Sequence, residues 1–589
     1  MTKCQFPDET EFIPFIDAHW CRFHLPLRDN PGSLSPKGLR TEGSGWEDGG
    51  VEWLAFEKEI FSRLLSSSPN AGITPSRADF RNVIFPAGFD FSKFYELLHG
   101  DFSSTIFGDF VNFSNVRFTD FTKFSGNIGK AANFSNTKFG KSADFRNEIF
   151  EESANFSGAE FAEDVIFTSA TFGGSPNFMG VKFGHSSNFA NTVFGKSANF
   201  SRATFGDDVV FESSNFGELT NFRCATFGKS VNFSNTPFGK SANFISGKFG
   251  KSANFKNAKF EDLSNFSKAT FGDNAVLQGA TFENDANFTG VVFGNEADLT
   301  AAKFQNNTCF NGATFGNNAN LSGTTFRDWT IFKDAKFLGK VIFSLGGASR
   351  PEFAFRAIDF SSAEFFGPCS FDNRVFTAET LFKGTVFRDL VEFHGCTFHQ
   401  GMSFHQTKFL KTKGANDSET EALERAYRTL RLGMENLRAR NEEAMFFAKE
   451  MECYRHRIFF SFDWIVSGLY NILSGYGRSL IRPVFWFLSL TVFSFFLYAW
   501  AFYGGAKACP GGPFKYGWEI LEFTAEQIFR PFGIWSLPAG EKTPYDAVRV
   551  FMKEYHRPLI PFLASLQSLG TFGLLTLFLL ALRRRFKMD

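Results

Sequence analysis

Cysteine is scarce in this chain, with eight residues in 589, at positions 4, 21, 224, 309, 369, 396, 453 and 509. Most stand far from one another, which argues against a disulfide framework and for a reducing compartment around most of the chain. Net charge is also lacking: 61 Lys and Arg balance 61 Asp and Glu, so no global field draws the protein to nucleic acid or another polyion. No basic stretch followed by an apolar run opens the sequence as it stands; Met1 to His24 is polar and aromatic throughout, so insertion into a bilayer is expected to fall to apolar segments near the C-terminus. Tyr and Trp are few, 10 and 9, against 87 Phe. An ordinary mixed core does not need that imbalance, whereas a repeat that sets one residue type at every core position does.

The Phe residues are periodic. From about Phe80 to Phe409 they recur at spacings that alternate between five and six, as in Phe134, Phe139, Phe145, Phe150, Phe156, Phe161, Phe167 and Phe172. Two residues before each Phe stands a small one (Ala132, Thr137, Ala143, Ala154, Ala159), with a polar residue between. That is the period of a strand, with Phe and the small residue facing inward. Steps of 22 from Phe134 meet Phe at every position through Phe332. From Phe145 the same step reaches Phe255, then Leu277, Leu299 and Leu321, then Phe343, so all three Leu fall in one column. Units 22 apart therefore share an environment that neighbouring 11-residue units do not, and the spacing predicts a β-helix with four faces per coil. Two residues follow Phe134 before the next inward position and three follow Phe139. The longer corner usually begins with Gly, read as supplying the φ > 0 conformations of a wider turn. Roughly 15 coils at ~4.8 Å make a rod about 70 Å long, each buried ring contributing roughly 2 kcal/mol or more. The rhythm breaks near Gly126–Gly129, and again at 344–354, where a protruding loop is expected.

Ala143-Asp144-Phe145, Ala198-Asn199-Phe200 and Ala297-Asp298-Leu299 fit the A-(D/N)-(L/F)-x-x pattern, and on these residues the chain resembles the pentapeptide-repeat family. The resemblance implies a right-handed quadrilateral β-helix. The departure from the pattern is one extra residue in every second unit. Some soluble members of that family resemble DNA and bind DNA gyrase, which requires a strongly acidic rod; the Lys-bearing corners here count against it, and nucleic acid is not an expected partner.

Four regions follow: an N-terminal cap over 1–79, the β-helix over 80–410, a helical linker over 411–479, and a transmembrane hairpin over 480–589. In the first, Trp53 to Leu65 reads as a helix able to cover the open end of the rod, and the Pro-, Gly- and Ser-rich stretch from Asp29 to Gly50 as a loop. Cys4, His19, Cys21 and His24 are candidate ligands of a structural zinc, the last pair in a Cys-x-x-His whose spacing lets two ligands meet one ion. The segment also looks like Cys/His elements found ahead of some pentapeptide-repeat proteins. No second Cys lies near Cys4, and unrelated polar residues are the competing reading. After Lys411, a helix from about Ser418 to Ala439, capped by Asp417 or Ser418, and a second from Asn441 to Arg457 predict an antiparallel hairpin. It caps and spaces the rod or forms an oligomer interface. Leu423, Tyr427, Leu430 and Met434 make one apolar stripe, continued by Met445, Ala448, Met451 and Cys453.

Pro483 to Phe502 is a dense uncharged run, and Leu559 to Leu582 is a second; each approaches the ~20 residues that cross the hydrocarbon of a bilayer. Arg478 and Arg482 precede the first, and Arg583-Arg584-Arg585 ends the second. The positive-inside rule then places both termini and the rod in the cytoplasm and the loop 503–557 outside, in a cell membrane crossed twice. Trp464, Tyr470 and Tyr476 suit a helix lying in the interface. Phe514 to Trp535 sits between the spans, which matches a two-helix channel in layout only. A potassium filter needs a Thr-x-Gly-Tyr-Gly-like run of carbonyls, and Phe529-Arg530-Pro531-Phe532-Gly533 is not one. Glu526 and Gln567 are the residues a pore of another kind would use.

No catalytic constellation emerges. Gly-Lys-Ser recurs at 140–142, 195–197, 228–230, 239–241 and 250–252, but as a corner of the coil and without the upstream Gly of a phosphate loop. His394, His399 and His405 have nothing to fix them as ligands or bases, and no paired carboxylates stand out. The expected function is a non-enzymatic, membrane-anchored scaffold that offers its β-helix to a cytosolic protein and forms a homo-oligomer. The alternative is a subunit of a two-helix ion channel or transport pore, with the β-helix as its regulatory domain.

Overall fold

The computed structural model describes residues 100–346, 354–505, 516–529 and 559–586, with short pieces between 12 and 97. The chain forms two units, Met1–Leu410 and Lys411–Asp589. The expected N-terminal helix at Trp53 to Leu65 and the loop at Asp29 to Gly50 lie outside the described residues, as does most of the loop 503–557.

The first unit is a parallel β-solenoid of about 14 turns. Its strands are only two or three residues long in most turns, because a corner follows each face. They pair in parallel with the strand one turn away: Glu160 lies beside Lys182, Thr171 beside Val193, and Ala198 beside Thr220. Hydrogen bonding continues through the residues between. Phe156 N–H donates to Asn177 O at 2.7 Å and Phe178 N–H to Asn199 O at 2.7 Å, so the backbone of each face is paired above and below.

Phe fills the interior. The column from Phe91 through Phe113, Phe134 and Phe156 to Phe404 stacks ring on ring; Phe178 and Phe200 are 4.7 Å apart and 2° from parallel. A gap near 4.8 Å exceeds face-to-face contact, so the rings are tilted and offset, as aromatic quadrupoles favour. The opposite column, Phe145 to Phe393, meets the first edge-on: Phe145 stands at 90° to both Phe134 and Phe156. Leu277, Leu299 and Leu321 occupy it without exposure.

The two kinds of corner differ from expectation in one respect. In the short corner positive φ falls on the second residue after the ring, Asn136 at 57°, Asn147 at 59° and Lys268 at 57°, with Gly158 and Gly279 in the same role; in some long corners it falls on the third, at Asn274, Glu296 and Asn318. Thr137 N–H closes that turn on Phe134 O at 3.2 Å. The Gly of the long corner has no such φ. It is small because corners stack: a Cβ on Gly206 or Gly250 would overlap the carbonyl oxygen of Gly184 or Gly228, one turn away.

Both breaks in rhythm appear as register changes. Arg117 pairs with Lys138, a step of 21, and a bulge between Ser103 and Thr105 adjoins the shortened stretch Phe124–Ile128. At the second break Lys336 pairs with Glu364, a step of 28, so six residues are inserted and the coil then resumes. The loop expected there falls on 347–353, outside the described residues.

The second unit is helical. Helices α1 (Asp417–Asn436) and α2 (Arg440–Arg457) form an antiparallel pair. Asn416, not Asp417 or Ser418, caps α1, its side chain accepting from Glu419 N–H at 2.8 Å. The stripe Leu423, Tyr427, Leu430 and Met434 is buried; on α2 the buried residues are Phe446, Ala448, Glu450 and Cys453, with Met445 and Met451 only half covered. Helix α3 (Phe462–Ser474) starts at Ser461 and ends at Gly475 in the left-handed conformation. Helices α4 (Ile481–Gly505) and α6 (Leu559–Phe586) pack on each other, with α5 (Gly517–Phe529) against both.

Candidate functional site

The outer surface of the solenoid is a lattice, because each side chain has a counterpart about 4.8 Å along the axis. Its regular feature is an amide ladder. Asn133 donates its side-chain N–H to Asn112 at 3.1 Å, Asn177 to Asn155 at 3.3 Å, and Asn199 to Asn177 at 3.2 Å. Each Asn oxygen also takes the backbone N–H two residues on, as Asn155 does from Ser157. Three of the corner lysines are paired along the stack: Lys229 meets Asp207 at 2.6 Å, Lys141 meets Asp120 at 2.9 Å, and Lys240 meets Glu218 at 3.4 Å. Lys229 is therefore paired, which interrupts the basic edge that its stacking with Lys251 suggests. Apolar groups are exposed as well: Leu219 and Leu263 flank Ser241 in three successive strands of one sheet, each about half exposed.

Among the described residues, two inward-facing positions of the solenoid hold ionisable side chains where small ones are the rule. The residue three after a column ring faces inward and is small in nearly every turn; Thr192, Thr236, Thr385 and Thr407 there donate to the carbonyl of a Phe about a turn away. Glu148 and Arg374 occupy equivalent places. Glu148 is 1% exposed and accepts from Gly126 N–H, while its Oε2 has no partner; burial pushes its carboxyl up to about 8. Arg374 donates to the carbonyls of Phe343, Thr324 (2.7 Å) and Leu321 (3.3 Å), with its guanidinium 4.3 Å from the Phe355 ring centre. Burial lowers its pKa to about 9, so it stays charged at neutral pH. Each sits one turn beyond an irregularity, where the shifted backbone leaves groups that the regular ladder does not reach. The carboxyl takes the Gly126 N–H; the guanidinium takes the Phe343 and Thr324 carbonyls and shares Leu321 O with Thr324. Sequence reading missed both, although each violates the small-residue rule at a countable position.

In the helical unit, Glu424 accepts from Arg428 at 2.6 Å and Arg457 at 3.1 Å, and Glu450 from Arg428 and Arg431 at 2.8 Å each. This chain of charges locks α1 to α2. Helix α3 exposes an apolar face, Phe462, Ile465, Val466, Leu469 and Ile472, next to exposed Phe459 and Phe460. Tyr476 does not join that face: it is buried, its hydroxyl 3.2 Å from Ser467 Oγ, because Gly475 turns the chain back beneath α3. Ile481–Phe502 and Phe562–Arg583 are long and apolar enough to cross a membrane, and most of their surface is exposed. Where α5 meets them, Tyr498 donates to Gln567 Oε1 at 2.8 Å, Gln567 donates to Thr524 O at 3.2 Å, and Ser568 to Gln527 O at 2.8 Å.

Of the candidate zinc ligands, His19 and Cys21 stand at alternate positions of β2 (Ala18–Cys21), which pairs with β1 (Phe12–Phe15); Cys4 and His24 lie outside the described residues. Among the described residues no group of three His, Cys, Asp or Glu could hold a metal ion. His394 Nδ1 lies 3.4 Å from Asp372, His399 accepts from Gly401 N–H at 3.0 Å, and the set with His405 forms no common site. Gln567 has both ends of its amide bonded within the helical unit, and Glu526 lies partly buried near the end of α5.

A family model described as pentapeptide repeats (9 copies) matches the chain over four overlapping segments, residues 127–171, 167–215, 248–292 and 288–336. No curated protein and no solved structure gives a significant match.

Proposed function

This chain is a pentapeptide-repeat protein with two long apolar C-terminal helices, and from that premise we propose that it is a membrane-anchored scaffold whose solenoid holds a cytosolic protein. The single observation that carries the reading is the outer lattice: corner lysines paired with carboxylates of the adjacent turn, with exposed Leu219 and Leu263 on either side of Ser241 in one sheet. A surface whose charges are partly paired and interspersed with exposed apolar groups suits protein contact through shape and apolar burial, not through a long-range field. The family is generally non-enzymatic, which agrees with a binding role.

Helices α4 and α6 act as the anchor. Their flanking Arg478, Arg482 and Arg583-Arg584-Arg585 favour a cytoplasmic location for both outer flanks, hence for the solenoid. A second copy of the chain is the expected neighbour in the bilayer. A photo-crosslinker at Leu219, in native membranes, should trap one discrete adduct that Leu263→Glu removes. Adducts equally strong from every row of the solenoid, or none from any, would contradict the proposal.

One observation favours the pore as a second reading: α5 packs between α4 and α6 beside residues 567 and 568, several residues inside the apolar stretch that begins at Phe562. A short helix at that depth suits a pore lining. Single-channel recording of the reconstituted chain tests this, and absence of conductance in every oligomer would end it.

A further inference from the structure

The helical unit contains a cavity of about 540 Å³ where α2, α3 and the start of α4 meet, walled by Glu452, Asn471, Tyr476, Arg478, Ser479 and Arg482 among others. Its mouth sits at the first residues of the first apolar span, which begins at Ile481. We infer that it is a binding site for the phosphate headgroup of an anionic phospholipid, an inference that rests on the anchoring role proposed for α4 and α6.

The charges favour an anion. Arg478 and Arg482, four residues apart, both line the cavity and are exposed. Arg478 has no side-chain partner among the described residues. Arg482 uses one terminal N–H on Asn471 O at 3.0 Å, at the end of α3, and keeps its remaining donors. Glu452 is the one carboxylate in the wall, and Lys449 pairs with it at 3.0 Å. Ser479 Oγ accepts the Arg482 backbone N–H at 3.2 Å and so marks the first turn of α4, whose dipole adds positive potential.

Geometry selects the lipid over a free anion. The elbow between α3 and α4 is pinned by Arg482 on Asn471 O and by Trp486 Nε1 on Ile472 O at 3.2 Å. Helix α3, with its exposed row Phe462, Ile465, Val466, Leu469 and Ile472, is thereby fixed beside the foot of the span. An amphipathic helix in that place lies along the headgroup boundary with its apolar side toward the acyl chains. A phosphate at the level of Ile481 then meets two guanidinium groups, while the chains attached to it run along α3 and α4. A soluble phosphate would leave that apolar row uncovered.

The test uses the full chain in detergent, offered equal phosphatidylglycerol and phosphatidylcholine, with retained lipid read by native mass spectrometry. Wild type should retain phosphatidylglycerol preferentially. Arg478→Gln should reduce that retention roughly fivefold, the size expected for one basic residue at an anionic surface, and leave phosphatidylcholine unchanged. Arg482→Lys, which keeps the charge, should fall less than Arg482→Gln. Equal retention of the two lipids, or an Arg478→Gln variant indistinguishable from wild type, would overturn the inference. So would saturable micromolar binding of inorganic phosphate that Arg478→Gln abolishes while lipid retention stays. Flotation of wild type with phosphatidylcholine vesicles is read in parallel: failure to float sinks the anchor itself, whereas flotation without headgroup preference sinks only the site.

Discussion

At the scale of single residues, the solenoid's tolerances follow from where each side chain faces. Glu148 is the sharpest case, since its carboxyl is raised from the usual carboxylate range to about 8 by burial. A raised pKa means that the folded state holds the proton more tightly than the unfolded chain. That stabilisation is complete below about pH 4.5 and is lost as pH rises through 8. The slope is at most about 1.4 kcal/mol per pH unit. Urea titrations should show stability falling between pH 5 and 8, and Glu148→Gln should remove that fall; an unchanged slope in the variant would locate the titrating group elsewhere. Corner residues give opposite signs. Gly250→Ala drives a Cβ into the Gly228 carbonyl and should destabilise by about 1–3 kcal/mol. Lys268→Gly relieves a left-handed lysine (φ 57°) and should stabilise by about 0.5–1 kcal/mol, both measured as shifts in the denaturation midpoint. The Phe columns were legible in the sequence because their period is the coil. The reason for the long-corner Gly was not, because crowding between stacked corners depends on how turns superpose, and no local pattern records that.

At the scale of elements, a coil touches only its neighbours, so damage should stay local. Phe244→Ala removes a ring stacked 5.1 Å from Phe222 and 4.7 Å from Phe266, and should cost about 3–5 kcal/mol. Hydrogen exchange should rise in the turns around 233–255 while those near Phe156 and Phe178 keep their protection; loss of protection along the entire solenoid would show a cooperative unit larger than the turn. Arg374 is the counterpart at the insertion. Arg374→Met removes the guanidinium donor from the Phe343 and Thr324 carbonyls and should lower stability by about 3 kcal/mol in the same denaturation assay. The helical pair was legible from its stripe, and the cap was placed one or two residues late because Asn416, Asp417 and Ser418 are all competent caps and only the geometry selects among them. Tyr476 was misread for a related reason. A tyrosine near a span suits the interface by type, but the turn at Gly475 decides which way it points.

At the scale of the whole chain, the proposed arrangement is a Phe-filled solenoid tethered to a bilayer by two apolar helices. Composition already separates the parts, since rings at fixed period and long uncharged runs do not share a segment. What sequence could not supply was the fit of α5 between the two long helices, which rests on hydrogen bonds from Tyr498, Gln567 and Ser568 at sites with no motif. The most direct measurement is protease digestion of membrane vesicles bearing the inserted chain, from each face separately. From the cytoplasmic face, cleavage near Lys411 should release a soluble, protease-resistant fragment ending near Leu410, with the apolar helices left in the pellet. Release of the chain by alkaline extraction alone, digestion of the 100–346 region to small peptides, or release of that fragment only from the opposite face would contradict it.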